Sequence, residues 1–258
     1  AAISSPSGGA LPVILSKWAE TLQLESGNRD VDCIGKMIRR TLLEIQNCVG
    51  GFDFSLVIST YFNCLFSEES EAVLYRKNAC LQWLRGEFST KTEACNALGF
   101  RVSSIVDDSN WYNYIKLWAA LSQKIGYRGL VIFIDECVNL YKIVNRVSRE
   151  NNYEMILSMF NDTLQGNAVG LEMILGGTPQ FLEDTRRGLF SYEALRSRLA
   201  DGAFSAAGSR DLLSPVIRLK RLTDDELFAL ILRVADLHAQ YYGYDRLLND
   251  EEQMTFYK

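Results

Sequence analysis

The sequence predicts an α/β protein, a parallel sheet flanked by helices and preceded by a large N-terminal helical region. Three observations predict it. The run Val131-Ile132-Phe133-Ile134 is apolar throughout, which fits a strand buried on both faces, as in a parallel sheet covered by helices. The residues before it carry apolar positions at helical spacing. The residues after it alternate strand-like and helix-like segments, which implies right-handed βαβ crossovers.

Each element follows from its local pattern. Positions 31, 34, 38, 42 and 45 make one helical stripe, 54, 57, 58, 61, 62 and 65 a second, and 73, 80, 81 and 84 a third. Thr90 and Glu93 read as a capping box, and Gly99 closes that short helix after Leu98. Asp108 is the expected cap of the next helix, in which Trp111, Tyr114, Ile115, Trp118, Leu121 and Ile125 share a face until Gly126 ends it. Leu130–Asp135 is the first strand. Asn152 to Leu164 is a helix with Tyr153, Ile156, Phe160 and Leu164 on one stripe. Leu171–Leu175 and Val216–Leu219 are the second and third strands. Thr223-x-x-Glu226 is a capping box that opens a long helix through Leu227, Ile231, Val234 and Leu237. Trp18, Trp83, Trp111 and Trp118 read as core contacts, and His238 as a packing residue with no partner to make it a ligand.

Composition narrows the function classes. The 258 residues are 48% apolar, ordinary for a globular chain, and the net charge of −5 provides no global field toward nucleic acid. The charge is uneven. Between Arg186 and Arg221, eight basic residues (186, 187, 196, 198, 210, 218, 220, 221) face three acids, Glu193, Asp201 and Asp211; that excess suits phosphate or a solvated face. The six cysteines (33, 48, 64, 80, 95, 137) show no C-x-x-C and there is one histidine, which argues against zinc. They read as reduced core residues of a cytoplasmic protein. Neither a signal peptide nor an apolar run of membrane length is present. Ala1 to Gly9 reads as linker and Asp250 to Lys258 as a helix stopped mid-pattern, so the sequence reads as a fragment of a longer chain.

The chemistry is concentrated at two strand ends. Asp135-Glu136 closes the first strand, where open α/β sheets bind ligands. In nucleotide hydrolases such an acid pair is the Walker B motif: the Asp holds Mg²⁺ and the Glu orients and deprotonates the attacking water. The same pair can equally cap a helix or solvate a turn. The second strand ends in Gly176-Gly177-Thr178-Pro179, which brings a hydroxyl to the sheet's carboxyl edge as a sensor of the γ-phosphate. The alternative is a tight turn with Thr178 starting a helix. Arg186, Arg187, Arg196 and Arg198 are candidates for stabilising charge on a transferring phosphoryl group. Arg196 and Arg198 lie two residues apart on a predicted helix and cannot share a face. No G-x-x-x-x-G-K-[ST] loop occurs in the sequence. Gly35-Lys36 is not one, since Asp30 and Met37 occupy its first-Gly and Ser/Thr positions. Residues 89–99 have the shape of the first helix of a helix-turn-helix, but no basic recognition helix follows.

Gly129–Glu136, Glu150–Glu154, Phe160–Gly166, Gly176–Gly188, Ser191–Leu199 and Gly86–Ala94 resemble the bacterial P-loop ATPases of the BREX phage-exclusion type, the BrxC/BrxD group. The likeness runs through the whole chain. It implies an incomplete P-loop NTPase sheet of AAA+ type, in an antiviral or DNA-processing system. It also implies that the Walker A loop lies upstream of Ser7-Gly8-Gly9-Ala10-Leu11-Pro12. By position, Asp135 would hold Mg²⁺, Glu136 would be the base, Thr178 would sense the γ-phosphate, and Arg196 or Arg198 would be the finger or a sensor. The implied division is a helical insertion at 1–127, a core portion with Walker B and sensor strands at 128–222, and the start of a C-terminal helical lid at 223–258. In such ATPases the Walker A strand lies between the Thr178 strand and the Val216–Leu219 strand. The expectation is that polypeptide outside these residues supplies it, that a partner chain fills the slot, or that the sheet closes up.

The expected ligands are ATP and Mg²⁺. The expected partners are DNA or a defence-system protein, and a homo-oligomer, with no membrane. Without a phosphate loop the 258 residues alone are expected to be inactive. Two other readings stay open: a non-enzymatic helical interaction module with a vestigial Walker B, and a DNA-binding module built on Arg186–Arg221.

Overall fold

The computed structural model describes residues 9–27, 31–200, 214–245, 252 and 255. Residues 1–8 of the linker expected at Ala1 to Gly9, Asp30, the charged residues Asp201, Arg210 and Asp211, and the C-terminal helix expected from 250 onward, apart from 252 and 255, lie outside them. The chain divides into two units, Ala1–Arg196 and Ser197–Lys258.

Among its described residues the first unit opens with six helices: α1 (Ala10–Glu25), α2 (Val31–Leu43), α3 (Gly51–Leu65), α4 (Glu71–Arg85), α5 (Lys91–Leu98) and α6 (Trp111–Lys124). Their inward stripes meet in one core. Leu15 and Trp18 of α1, Ile38 and Leu42 of α2, Phe54, Val57, Ile58, Tyr61 and Phe62 of α3, Trp83 of α4, Leu98 of α5 and Leu117 and Leu121 of α6 are all buried there. Edge-to-face aromatic pairs bind the helices at 4.9 Å (Trp18–Phe62), 5.2 Å (Phe54–Trp118) and 5.2 Å (Trp83–Tyr114). Helix ends follow local chemistry. Ser70 and Thr90 accept from Val73 and Glu93 N–H, and Gly86 and Gly99 close their helices in the left-handed conformation. Gly35 and Lys36 lie inside α2.

Several local expectations need correction. Asp108 does not cap α6; Asn110 occupies the cap position, and its side chain instead joins the Asp107 N–H and the Ile105 carbonyl. Cys33 and Cys48 are exposed, and Cys48 lies in the turn before α3, whereas Cys64, Cys80 and Cys137 are buried. Burial pushes the Cys80 thiol up to about 12, with the neighbouring Cys64 adding to it. Residues 100–110 wrap back onto the core.

That return is held by a buried carboxylate. Asp53 of α3 is 2% exposed. Its Oδ2 accepts from the Ser103 and Ser104 N–H groups at 2.9 and 3.1 Å and from the hydroxyls of both serines. Ser104 also pairs with the Tyr114 hydroxyl at 2.9 Å, and its carbonyl accepts from Trp83 Nε1 at 3.1 Å. A single acid thus ties α3, α4, α6 and the 100–110 segment.

The rest of the unit is β1 (Leu130–Ile134), α7 (Val138–Lys142), α8 (Arg146–Gln165), β2 (Leu171–Leu175), α9 (Pro179–Glu183), a 3₁₀ turn (Leu189–Ser191) and α10 (Glu193–Leu199), whose last residues pass into the second unit. β1 and β2 pair in parallel, Leu130 opposite Leu171 through Ile134 opposite Leu175. β1 is not buried on both faces. Leu130, Ile132 and Met173 pack with Tyr112 and Ala119 of α6 and Met159 of α8, while Val131, Phe133 and Ile174 are exposed on the opposite face. Parallel sheets are normally covered on both sides, and this one has only one layer among the described residues. α8 begins at Arg146, capped by Asn145, and buries Arg149, Tyr153 and Met159; Leu164 is exposed.

In the second unit α11 (Asp224–Tyr242) starts in the expected reciprocal capping box of Thr223 and Glu226. The expected strand Val216–Leu219 does not form; Ile217 and Leu219 are 82% and 91% exposed. An extended segment becomes a strand only when a neighbour takes its N–H and C=O groups, and none does so here among the described residues. The apolar stripe Leu227, Ile231, Val234 and Leu237 is exposed. His238 is exposed rather than packed, with its ring beside the Tyr244 hydroxyl at 2.6 Å. No helix among the described residues is long and apolar enough to cross a membrane.

The Asp53 knot gives a direct test. Asp53→Ala removes the acceptor of four donors in a buried place and is expected to lower the unfolding free energy by about 3 kcal/mol, read from the urea denaturation midpoint. An unchanged midpoint would contradict the role given to this acid.

Candidate functional site

The site forms where the β1–β2 ladder ends. Its last regular bond runs from Gly176 N–H to the Ile134 carbonyl at 2.8 Å. In a continued parallel ladder the Glu136 N–H would donate next to the Gly176 carbonyl. It does not. The Cys137 N–H takes that carbonyl at 2.9 Å, and the Glu136 N–H turns to Asp135 Oδ1 at 2.7 Å. The shift by one residue arises at Glu136, whose φ of 54° makes it the one non-glycine in the left-handed region among the described residues. Such a conformation costs roughly 1–2 kcal/mol for an L side chain, so the surroundings must enforce it. Cys137 does so from below: it is buried, its thiol meets the Ile134 carbonyl at 3.4 Å, and it starts α7. Burial raises the Cys137 thiol pKa, and the Asp135 charge adds to the shift.

Asp135 and Glu136 are both exposed at this edge. By strand alternation Asp135 shares the bare face with Val131 and Phe133. Its neighbour on β2 is Gly176, where a Cβ would sit 2.9 Å from Asp135 Oδ1. The glycine therefore leaves the carboxylate its position. Glu136 Oε2 accepts from Asn139 Nδ2 at 3.3 Å. Neither acid is held in an ion pair among the described residues.

Thr178, exposed beyond the end of β2, is the N-cap of α9 and accepts from the Phe181 N–H at 3.3 Å; Pro179 follows at the first helical position. The helix-start reading of this threonine therefore holds, and its hydroxyl hydrogen is not used by that bond. The structure brings Asp135, Glu136 and the Gly176–Thr178 turn to one edge. It does not bring Arg196 into contact with the acids. Arg196 is exposed on α10 and pairs with Glu193 one turn earlier at 3.9 Å, while Arg198 on the same helix is half-buried. Arg187 is turned inward, donating through Nη2 to the Ile143 carbonyl at 3.2 Å.

The arrangement has a chemical meaning. Two exposed carboxylates with hard oxygen donors suit Mg²⁺, which takes one or two protein carboxylates and completes its shell with water and phosphate oxygens. No group of three or more His, Cys, Asp or Glu is poised for a metal among the described residues.

Beside the site lies a network that sequence patterns did not reveal. The Gly176–Gly188 segment doubles back after α9, and Asp184 holds the turn. Its Oδ1 accepts from the Arg186 and Arg187 N–H groups at 2.7 and 3.1 Å, and its Oδ2 from the Tyr141 hydroxyl of α7 at 2.9 Å. A side chain at Gly188 would meet the Gln180, Phe181 and Asp184 carbonyls at 2.8 Å. α7, which follows Glu136, is thereby pinned to α9, which follows Thr178. The pattern Asp-x-Arg-Arg, an acid two and three residues ahead of free N–H groups, is the one signal that could have exposed this turn.

Comparison with protein families matches residues 1–258 to the family described as BREX system ATP-binding protein BrxC/D. No curated protein and no solved structure matches the chain.

Two outcomes test this geometry. Glu136→Gly relieves the left-handed strain and is expected to raise stability by about 1 kcal/mol, seen as a higher Tm; a lower Tm would show that Glu136 is not strained. The Arg186 N–H first, then the Tyr141 hydroxyl, hold the Asp184 carboxyl below its ordinary range. A depressed folded-state pKa stabilises above the unfolded value and that contribution is lost as pH falls through the folded value. Asp184→Asn is therefore expected to flatten the loss of Tm below about pH 4, and an equally steep acid limb would contradict the role of this acid.

Proposed function

We propose, for a chain that belongs to the family of BREX system ATP-binding proteins BrxC/D, that Asp135 and Glu136 serve ATP hydrolysis at the carboxyl edge of a P-loop-type sheet. The observation that carries the reading is the juxtaposition of two exposed, unpaired acids with the Gly176-Gly177-Thr178 turn across the end of a parallel strand pair. Asp135 would hold Mg²⁺ through the oxygen not engaged by the Glu136 N–H. When bound, Mg²⁺ neutralises charge on the β- and γ-phosphates. Glu136 orients water in line with the terminal phosphate and accepts its proton. Thr178 keeps its hydroxyl toward the γ-phosphate while its oxygen caps α9. An arginine of α10, Arg196 or Arg198, supplies positive charge to the transferring group across a homo-oligomer.

The phosphate-cradling loop G-x-x-x-x-G-K-[ST] is not among these 258 residues. The activity is accordingly proposed for the acid pair working with such a loop supplied from outside them. A sheet two strands wide and bare on one face among the described residues is in keeping with that need. The work of hydrolysis is proposed to act on DNA or on a protein of phage defence.

A second reading has its own observation. The stripe Leu227, Leu230, Val234, Leu237 and Tyr241, spaced alternately three and four apart, is exposed on α11, the pattern of a helix that packs against another. It favours a non-enzymatic interaction module. Glu136→Gln separates the two, measured in a protein that joins these residues to a phosphate loop. A hydrolase is expected to lose turnover by roughly a hundredfold or more while keeping nucleotide. Turnover that survives the substitution would sink the assignment of the base.

A further inference from the structure

The first unit holds a second polar centre, at the end of α7 remote from Glu136. Arg149 of α8 is 7% exposed. Its Nη1 donates to the Ile143 carbonyl at 2.8 Å, and Arg187 Nη2 donates to the same oxygen at 3.2 Å. Two guanidinium groups thus share one neutral acceptor. No carboxylate lies within 4.0 Å of either among the described residues. Asp184 directs its oxygens to two backbone N–H groups and to Tyr141. The Nε atoms of both arginines are buried and without a hydrogen-bond partner.

The surroundings hold these groups in place. The Arg187 guanidinium lies over the Tyr141 ring, 5.3 Å from its centroid. The Tyr153 hydroxyl, on a fully buried side chain, donates to the Arg187 carbonyl at 2.6 Å. Such an arrangement is physically incomplete. A nine-tenths buried guanidinium without a counter-charge is unfavourable, and a second cation beside it adds repulsion. One anion between them relieves both. Guanidinium forks match the geometry of phosphate, whose tetrahedral oxygens accept from two forks in different planes.

We propose that Arg149 and Arg187, gathered on the Ile143 carbonyl, form a binding site for a phosphate-type oxyanion, either free phosphate or the phosphomonoester of a nucleotide. The site stands on Arg149, Arg187 and Ile143 alone and does not depend on hydrolysis at Glu136.

The test is thermal stability and calorimetry of the 258-residue chain with inorganic phosphate, against chloride and acetate at the same ionic strength. Phosphate is expected to raise Tm saturably and the other two are not. Arg149 is buried and its replacement endangers the fold, so Arg187→Gln, at a half-exposed position, carries the test; it is expected to bind phosphate about tenfold or more weakly. Adenosine monophosphate separates the sources. Stabilisation by both ligands assigns the site to a nucleotide's phosphate, and stabilisation by phosphate alone assigns it to the free anion. Phosphate that acts no differently from chloride or acetate, or that binds Arg187→Gln as it binds the wild type, overturns the proposal. Glu136→Gln is expected to bind phosphate unchanged, so this site and the proposed catalytic base fail or stand separately.

Discussion

The parallel pairing of β1 with β2 is the constraint on which the site depends. Its register sets Leu130 against Leu171 and Ile134 against Leu175, and carrying it one residue further sets Asp135 beside Gly176. A slip of one residue would turn every side chain of β1 to the other face. Leu130 and Ile132 would leave the α6–α8 layer, and Asp135 would leave the edge it shares with the glycine turn. The packing of Leu130, Ile132 and Met173 on Tyr112, Ala119 and Met159 opposes that slip. Hydrophobic burial on one face therefore positions charge on the other.

The helical region serves this pairing at one remove. α6 belongs to both cores: Tyr114, Leu117, Trp118 and Leu121 point into the helical cluster, while Tyr112 and Ala119 meet the sheet. Lys116 of α6 also reaches Asp162 of α8 at 2.9 Å. The Asp53 knot fixes Ser103 and Ser104 in the segment leading into α6, so the helix that supports β1 is approached through a loop held by a buried acid fifty residues before Ser103. On the other side of the site, Tyr141 and Asp184 hold α7 to the turn after α9. The two acids thus emerge from a strand end clamped from both flanks. The left-handed backbone at Glu136 is the local strain that such clamping can sustain.

The ATP-binding family is matched over the whole chain, and the exposed acid pair lies within the matched residues. In the Gly176–Gly188 segment, beside the acid pair, each distinctive residue has a physical task. Gly176 clears Asp135, Thr178 caps α9, Asp184 closes the turn, and Gly188 fits where no side chain could.

Local order was legible in the chain itself. The stripes of α2 and α3, the caps at Thr90, Gly99 and Thr223, the bounds of β2 and the acid pair after β1 all follow from spacing and side-chain chemistry within a few residues. Tertiary contacts decided the rest. Nothing local distinguishes Val216–Leu219, which stays unpaired, from Leu171–Leu175, which finds a neighbour; strand formation needs a second strand to take the backbone bonds. Nor does an apolar run such as Val131–Ile134 state how many of its faces are covered. Asp53, the Tyr141–Asp184 bond and the Arg187–Ile143 bond were invisible because each joins residues more than forty apart in sequence, and hydrogen bonds across such separations exist only once packing has brought their partners together.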